Sequence, residues 1–246
     1  MAEDSRTTGY SRSIEDYLKA IYELESQGGP AQTSAIAEML TVSPPSVSGM
    51  VKRLSESGLV EHVPYHGVQL TRQGRRAALK MVRRHRILET YLTSKLGYDW
   101  DSVHDEAERL EHAVSDGLIE RMAMALAYPQ YDPHGHPIPT KDGEMEEPEL
   151  IPLADLPIGS TAEVRMVSDR DAERLRFLAS LGLRPGISFE VVGRQPFRGP
   201  VTLRIPGSPP KEEVVGNELA GSLYCALTTP EVGTRMAKAH NPATGT

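Results

Sequence analysis

The amino-acid sequence predicts a mainly α-helical protein with a small all-β domain near its C-terminal end. Apolar residues recur at helical spacing through most of the first half of the chain. Short β-like runs punctuated by glycine and proline fill residues 150–227. A stretch rich in proline, glycine and acidic residues, from Tyr128 to Glu149, separates the two. With 246 residues, the chain is long enough for two or three small domains.

The N-terminal region predicts three helices followed by a β-hairpin. Two amphipathic helices are predicted within residues 14–42. The third begins with Ser43 as its N-cap and Pro44 at the first helical position, where a missing N–H costs nothing, and it ends at Gly58. The runs LVEHV and VQLT then flank a turn at residues 64–67. This order predicts a winged helix-turn-helix unit, in which the third helix enters the DNA major groove.

Small polar residues lie at the exposed start of the third helix, where side chains can reach base edges, and two basic residues further along are placed for phosphates. The alternative, that the serines are only solvated helix positions, stays open at this point. The formal net charge of −7 argues against a nucleic-acid partner, so the DNA prediction rests on the pattern. The residues predicted to contact DNA are Ser43, Pro45, Ser46, Ser48, Gly49, Lys52, Arg53 and, in the hairpin turn, Tyr65 and His66.

Two further helices place imidazoles and carboxylates at helical spacing. The long helix RQGRRAALKMVRRHRILETYLTSKLG contains His85 and Glu89 four residues apart, and VHDEAERLEHAVSDGLIERMAMAL is predicted to be one continuous helix. One His–Glu pair alone would be a solvated helix face, but six donors on adjoining helices favour a metal site. The donors of the second helix are His104, Glu108, Glu111 and His112.

Cysteine usage narrows the kind of metal site. Cys225 is the only cysteine, which excludes an internal disulfide and a thiolate-rich zinc site. Oxygen and nitrogen ligands favour Mn²⁺, Fe²⁺, Co²⁺ or Zn²⁺ over Cu(I). His134 and His136 are predicted to lie in a proline-constrained turn rather than to bind the metal.

The surplus of apolar positions on the two long helical runs predicts a homodimer interface, with an intramolecular core as the alternative. The sequence has no run of roughly 20 apolar residues that could span a membrane, and residues 1–13 have no apolar core of a secretory signal. We therefore expect a cytoplasmic protein with no membrane partner.

The predicted domain boundaries follow these changes in composition. We expect a DNA-binding domain at 1–74, a helical metal-binding and dimerisation domain at 75–140, a linker at 141–149, an SH3-like β-barrel at 150–227 and a disordered tail at 228–246. One short helix, DAERLRFLASLG, interrupts the strands of the barrel.

Six segments together resemble the diphtheria-toxin-repressor family of metal-dependent transcriptional regulators, including its manganese-sensing branch. The resemblance covers most of the chain. The last segment also resembles the ferrous-transport accessory (FeoA) domain found in many members. The segments are EDYLKAIYEL (15–24), SPPSVSGMVKRLSESGLV (43–60), RRHRILE (83–89), VHDEAERLEHAVSD (103–116), PHGHPIP (133–139) and LASLGLRPG (178–186).

The resemblance implies two metal sites. The first uses Asp16 with Glu108, Glu111 and His112. The second uses His85, Glu89 and His104, completed by polar groups of the barrel, for which Asp171 and Glu173 are the nearest candidates. Iron-type members place methionine and cysteine where this chain has Asp16 and Glu108, so Mn²⁺ is the expected cofactor and Fe²⁺ the alternative. Gly49 stands where several relatives present a glutamine to DNA.

These expectations describe a Mn²⁺-responsive repressor that is not an enzyme and that binds a double-stranded operator as a homodimer to control metal-transport genes. An Fe²⁺-responsive regulator is the nearest alternative, and a metal-independent winged-helix sensor of an organic ligand is another. A metalloenzyme could use the same histidines and glutamates, but the sequence shows no separate nucleophile or phosphate-binding loop.

Overall fold

The protein is described by a computed structural model that covers residues 10–26, 28–63 and 65–228. The predicted tail, 228–246, lies outside these residues apart from Thr228. The helices are α1 (Arg12–Ser26), α2 (Thr33–Met39), α3 (Pro44–Glu56), α4 (Arg72–Leu96), α5 (Val103–Leu110), α6 (Asp116–Ala125), α7 (Ala172–Leu181) and α8 (Asn217–Ala220). The strands are β1 (Val60–Val63), β2 (Gly67–Leu70), β3 (Ile151–Pro152), β4 (Thr161–Val167), β5 (Ser188–Arg194), β6 (Val201–Ile205), β7 (Lys211–Val215) and β8 (Leu223–Leu227).

The first unit has the predicted winged helix-turn-helix order, with α1 to α3 followed by the antiparallel pair β1–β2. The Ser43 hydroxyl accepts a hydrogen bond from the Ser46 amide, and Pro44 opens α3, as the sequence predicts. The helices share one core with the start of α4, formed around buried apolar side chains such as Leu18, Ile36 and Leu54.

Helix α4 is a 25-residue element that joins the first unit to the helical unit. The Thr71 hydroxyl caps its start by accepting from the Gly74 amide. A side chain at position 74 would collide with the Leu59 carbonyl oxygen, since an added Cβ would lie 1.9 Å from it. Glycine therefore lets the first turn of α4 approach the residue before β1.

The prediction of one continuous helix from residue 103 onward is wrong. Helix α5 ends at Leu110, a turn follows, and α6 starts at Asp116. The Ser115 hydroxyl accepts from the Leu118 amide, and Asp116 lies in the first turn of α6, where the helix dipole favours an acid. A new N-cap therefore replaces the helical hydrogen bonds that a continuous helix would make at this point.

The segment after α6 is hydrogen-bonded to α4 and is not a free linker. Three arginines on one face of α4, each three or seven residues from the next, donate hydrogen bonds to its backbone carbonyls. Arg76 binds the carbonyl of Asp142, Arg83 that of Pro139 and Arg86 that of Pro137. The predicted linker, 141–149, is thus tied to the helical unit near its start, although most of its side chains are exposed.

The C-terminal unit is the predicted small β domain, with the antiparallel strand order β3-β8-β4-β5-β6-β7 and α7 between β4 and β5. Its core also takes in Trp100 from the loop between α4 and α5, and the Arg184 guanidinium lies 4.7 Å from the centre of the indole. The β domain therefore packs directly on the helical unit. None of the described helices has the length and apolar character needed to cross a membrane.

Candidate metal centre and DNA-binding surface

The first group of ligand-type side chains lies between α4 and α5, and we name it the α4 cluster: His85, His104 and Glu108. Each of the three offers a nitrogen or oxygen atom within 4.8 Å of the others. Glu89, one helical turn after His85, is fully buried, and its Oε1 lies 3.0 Å from His85 Nε2 and 3.2 Å from His104 Nδ1. The predicted pairing of these two helices through imidazoles and carboxylates is present in the fold.

The second group joins α1 to the turn after α5, and we name it the α1 cluster: Asp16, Glu111 and His112. His112 Nε2 lies 2.8 Å from Asp16 Oδ1 and 3.5 Å from Glu111 Oε1. Glu15 Oε2 lies 2.9 Å from the other ring nitrogen of His112 and orients the imidazole. Sequence reasoning missed Glu15, although its place beside Asp16 at the start of α1 was a usable signal.

The structure divides the four donors of residues 104–112 differently from the prediction. Glu108 lies on the same face of α5 as His104 and groups with the α4 cluster, whereas Glu111 and His112 follow the end of that helix and meet α1. Glu111 still links the two clusters, because its Oε2 lies 2.7 Å from His85 Nδ1. The break in the helix therefore turns one expected row of ligands into two adjoining groups.

A third group, absent from the prediction, surrounds the turn after α6, and we name it the turn cluster: Glu89, Asp132, His134, His136 and Asp169. The two histidines do lie in a proline-containing turn as predicted, but this turn is packed among carboxylates. Gly135 allows the close approach, since an added Cβ would lie 1.8 Å from the Arg165 carbonyl oxygen of β4. The repeated His-x-His spacing in PHGHPIP was the available signal.

The barrel contributes Asp169 rather than the predicted Asp171 and Glu173. Asp169 Oδ2 lies 3.6 Å from His104 Nδ1 and 3.9 Å from His136 Nδ1. Asp171 instead caps α7 by accepting from the amides of Glu173 and Arg174, and its side chain is half exposed. Neither Asp171 nor Glu173 belongs to a potential metal-binding group within the described residues.

The donor set fits a divalent cation. Within the described residues, four buried ligand-type atoms of the turn cluster lack a hydrogen bond of good geometry and face one another in two pairs: His134 Nδ1 lies 3.8 Å from Glu89 Oε2, and His136 Nδ1 lies 3.3 Å from Asp132 Oδ2. Buried polar atoms are normally satisfied, so a convergent set of unsatisfied oxygens and nitrogens suits an ion. The clusters contain no sulfur, and Cys225 lies in the core of the β domain.

Arg84 holds the turn that carries Glu111 and His112. This guanidinium is 2 % exposed and donates to the Glu111 carbonyl at 3.2 Å and to Asp116 Oδ1 at 2.5 Å. It therefore bridges the start of the turn and the first residue of α6. Sequence reasoning passed over Arg84 because an arginine on a helix is more often exposed.

The charges of the clusters perturb one another strongly. Burial and the Lys19 ammonium oppose protonation of His85, but Glu89 and Glu111 outweigh them and raise its pKa to about 10. Burial likewise opposes ionisation of Glu111, but His85 and Lys19 lower its pKa to about 2. Burial opposes protonation of His134 too, yet Glu89, Asp132 and Asp169 raise its pKa to about 9. In the metal-free protein, the pairing of opposite charges therefore outweighs burial at His85, Glu111 and His134.

The predicted DNA-contact residues of α3 all face outward. Ser43, Pro45, Ser46, Ser48, Gly49, Lys52 and Arg53 are exposed, whereas Val47, Met50 and Leu54 are buried. Tyr65 and His66 are exposed at the tip of the β1–β2 hairpin. An added Cβ at Gly49 would meet no atom within 4 Å, so the surface there is open. The fold thus leaves this face of α3 and the hairpin tip accessible together.

Comparison with known proteins decides the family. Residues 10–68 match the N-terminal DNA-binding domain of iron-dependent repressors, 71–140 their metal-binding and dimerisation domain, and 151–226 the FeoA domain. The diphtheria toxin repressor of Corynebacterium efficiens is 37% identical over 193 residues, 74% of this chain and 84% of that protein. The chain belongs to the diphtheria-toxin-repressor family. It is a metal-dependent transcriptional repressor of that family and not an enzyme, and the sequence-based identification is confirmed.

Other relatives differ in the metal that their names give. The iron-dependent repressor IdeR of Mycobacterium tuberculosis is 34% identical over 207 residues, 79% of this chain and 89% of that protein. A manganese-dependent transcriptional repressor solved in complex with manganese is 41% identical, with a TM-score of 0.81 over 87% of this chain and 100% of that one. The structure of ScaR with bound Zn²⁺ is 32% identical, with a TM-score of 0.75 over 87% of this chain and 98% of that one.

The His85–Glu111 pair predicts how the stability of the metal-free protein changes with pH. The raised pKa of His85 contributes stability that is complete below pH 6.5 and is lost as the pH rises through about 10. The lowered pKa of Glu111 contributes stability that is complete above pH 4.5 and is lost as the pH falls through about 2. Above pH 6.5, a single imidazolium adds a slope of at most about 1.4 kcal/mol per pH unit.

The measurement is urea unfolding of the EDTA-treated protein between pH 6 and 9.5. Relative to wild type, His85→Gln should flatten the decline in unfolding free energy over this range. The exposed His66 supplies the matched control, His66→Gln, which should leave the wild-type profile unchanged. Equal slopes for wild type and His85→Gln would contradict the assignment of the raised pKa to His85.

Proposed function

We propose that this chain is a Mn²⁺-responsive repressor that binds double-stranded operator DNA as a homodimer and controls metal-transport genes. One observation supports this most directly. The α1 cluster joins Asp16, from the DNA-binding unit, to Glu111 and His112, from the metal-binding and dimerisation unit. A cation held there would contact both units, so its binding and their relative placement would be coupled.

The residues that would hold the metal are those of the three clusters. Asp16, Glu111 and His112 would form one site, and Glu108 would belong with His85 and His104. His85, Glu89 and His104 form a second with Asp169, and Asp132, His134 and His136 lie beside it. When bound, a divalent cation supplies a positive charge and directional bonds to carboxylate oxygen and neutral imidazole nitrogen.

The protein residues convert this binding into DNA recognition through rigid elements. Asp16 lies on α1, which shares one core with α3, so fixing α1 also fixes the helix that faces DNA. Arg84 holds the turn that presents Glu111 and His112. In a dimer, both recognition helices would then lie one helical turn of DNA apart, roughly 34–36 Å. The expected coupling between metal and operator is on the order of 1–3 kcal/mol.

The chemistry of the donors favours Mn²⁺ over Fe²⁺. Asp16 and Glu108 are carboxylates where the resemblance implies methionine and cysteine in iron-type members, and oxygen donors make the site harder. The manganese-dependent repressor with a TM-score of 0.81 agrees with this choice. The names of IdeR and of the matched family models favour the alternative, an Fe²⁺-responsive regulator.

Exposed apolar side chains on the helical unit support a homodimer. Leu118 and Met124 on α6 are 42% and 60% exposed, and Tyr128 after the helix is 49% exposed. The match of residues 71–140 to a dimerisation domain agrees with this surface as the interface.

The roles of the DNA-contact residues can be separated by salt dependence and by sequence preference. Lys52→Ala and Arg53→Ala should weaken binding to all sequences alike, and each phosphate contact that is removed should lower the salt slope by roughly one unit. Ser46→Ala and Ser48→Ala should change the preference among operator variants instead. The measurement is affinity for operator and random DNA across a salt series. Serine variants that weaken binding to both DNAs equally would have no base-reading role.

Loss of a metal ligand should abolish metal-dependent DNA binding while the fold survives. Glu111→Gln and His112→Ala remove donors of the α1 cluster, and we expect metal affinity to fall by more than about 100-fold, since even outer-shell partners cost 10–100-fold. Operator binding is titrated with Mn²⁺ at fixed salt, and circular dichroism checks the fold. The exposed Asp105 of α5 supplies a control, Asp105→Asn. An unchanged Mn²⁺ midpoint in Glu111→Gln would contradict the assignment.

The choice of metal can be tested by introducing the sulfur-containing residues that the resemblance implies for iron-type members. Asp16→Met and Glu108→Cys, made singly and together, should shift activation of operator binding away from Mn²⁺ and toward Fe²⁺ or Co²⁺. Separate variants matter because the structure groups Asp16 with Glu111 and His112, and Glu108 with His85 and His104. The measurement is operator affinity across concentration series of each metal, under anaerobic conditions for Fe²⁺. If the double variant keeps the wild-type order of metals, the preference for Mn²⁺ does not arise from these two carboxylates.

A further inference from the structure

Lys19 places a positive charge between the α1 cluster and the α4 cluster. It lies on α1, one helical turn after Asp16, and its side chain is buried. Its ammonium contacts a Glu108 carboxylate oxygen and lies 3.1 Å and 2.9 Å from the two carboxylate oxygens of Glu111. It also lies 3.3 Å from His85 Nδ1. The ammonium is therefore surrounded by oxygen and nitrogen atoms that are candidate metal ligands in both clusters.

These contacts conflict with the use of the same atoms as metal ligands. Both Glu111 oxygens already accept from the ammonium, and a lysine ammonium has no lone pair to offer a metal. A divalent ion at Glu111 or Glu108 would also lie a few ångströms from a like charge in a buried site, where screening is weak. The ammonium and the metal cannot both be favoured partners of these carboxylates.

We propose that Lys19 is an internal counter-cation: its ammonium neutralises Glu108 and Glu111 in the metal-free protein, and a divalent cation binds by displacing it. Lys19 thereby raises the metal concentration that the repressor needs. This inference rests on the proposed function, in which these clusters bind a divalent cation.

The structure also offers the displaced ammonium another partner. Glu23 lies four residues after Lys19 on α1, so the two side chains can meet on one face of the helix. Glu23 also forms an ion pair with Arg170 at 3.0 Å in a half-exposed position. Lys19 has a flexible four-carbon stem, so rotation of its side chain can move the charge without unfolding α1.

Charge-removing variants test the proposal on the full chain. Lys19→Met keeps the length of the side chain without its charge, and Lys19→Gln keeps an N–H donor. Calorimetric titration of EDTA-treated protein with Mn²⁺ should give dissociation constants at least tenfold lower than wild type for both variants. Thermal unfolding of the metal-free variants should occur at a lower temperature, because Glu108 and Glu111 lose their counter-cation. The exposed Lys80 supplies the control, Lys80→Met, which should change neither quantity.

The outcomes separate this inference from the proposed function. Wild-type binding of Mn²⁺ with equal or weaker binding by both neutral variants would overturn the counter-cation role and show Lys19 to be a supporting residue. If no protein binds Mn²⁺ or Fe²⁺, the proposed function itself fails. Should a variant lose its fold without metal, the Mn²⁺ concentration that restores its circular dichroism decides the question, with restoration at lower concentration for the counter-cation role and at higher concentration against it.

Discussion

Burial of carboxylates where α1, α4, α5 and the β domain meet is the constraint on which the rest of this structure depends. Glu89 and Glu111 are fully buried, and burying an ionised carboxylate is costly unless a cation and hydrogen bonds compensate it. The compensating cations come from the DNA-binding unit and from the helical unit. Lys19 is supplied by the DNA-binding unit, while His85, His104 and His134 come from the helical unit. The same charges therefore hold these units together and form the candidate metal centre.

The pKa shifts of His85 and Glu111 both reflect the attraction between a buried imidazolium and a buried carboxylate. Burial alone would lower the pKa of His85 and raise that of Glu111, yet both move the opposite way because each stabilises the charge of the other. In the metal-free protein, the protons on imidazoles and the ammonium of Lys19 act as the cations of the centre. Metal ligation needs imidazole nitrogen and carboxylate oxygen without those cations. Binding of a divalent ion is thus an exchange of cations within a buried anionic site.

Local sequence rules predicted most of the elements, and two of the errors concerned local capping signals that were readable. The Ser43–Pro44 start of α3 and the i, i+4 pair of His85 and Glu89 follow from cap residues and spacing, and the β-like runs of residues 150–227 correspond to strands. The break before α6 was also local, and Ser115 followed by an acid was a readable N-cap that apolar periodicity overrode. The capping role of Asp171 at the start of α7 was readable in the same way.

No local sequence rule predicts that the residues of the turn cluster come together. Its burial depends on Arg86, which binds the Pro137 carbonyl from 51 residues away, and on the approach of Gly135 to β4. Asp169 joins it through the packing of the β domain, which the loop sequence does not specify. Without those contacts, two histidines between prolines are most simply assigned to an exposed turn.

Affinity and selectivity for metal have separate origins in this centre. The Lys19 ammonium and protonated imidazoles repel every divalent ion through their charge. They therefore raise the metal concentration needed for binding without favouring one metal over another. Ranking must come from donor type and geometry, because Mn²⁺ has the lowest intrinsic affinity among the first-row divalent ions. In the described part of the chain, the clusters present only oxygen and nitrogen, and Glu108 and Glu111 face Lys19 as well as the imidazoles. Under the proposed function, this centre would need a high metal concentration because of its internal cations and would prefer hard metal ions because of its carboxylate oxygens.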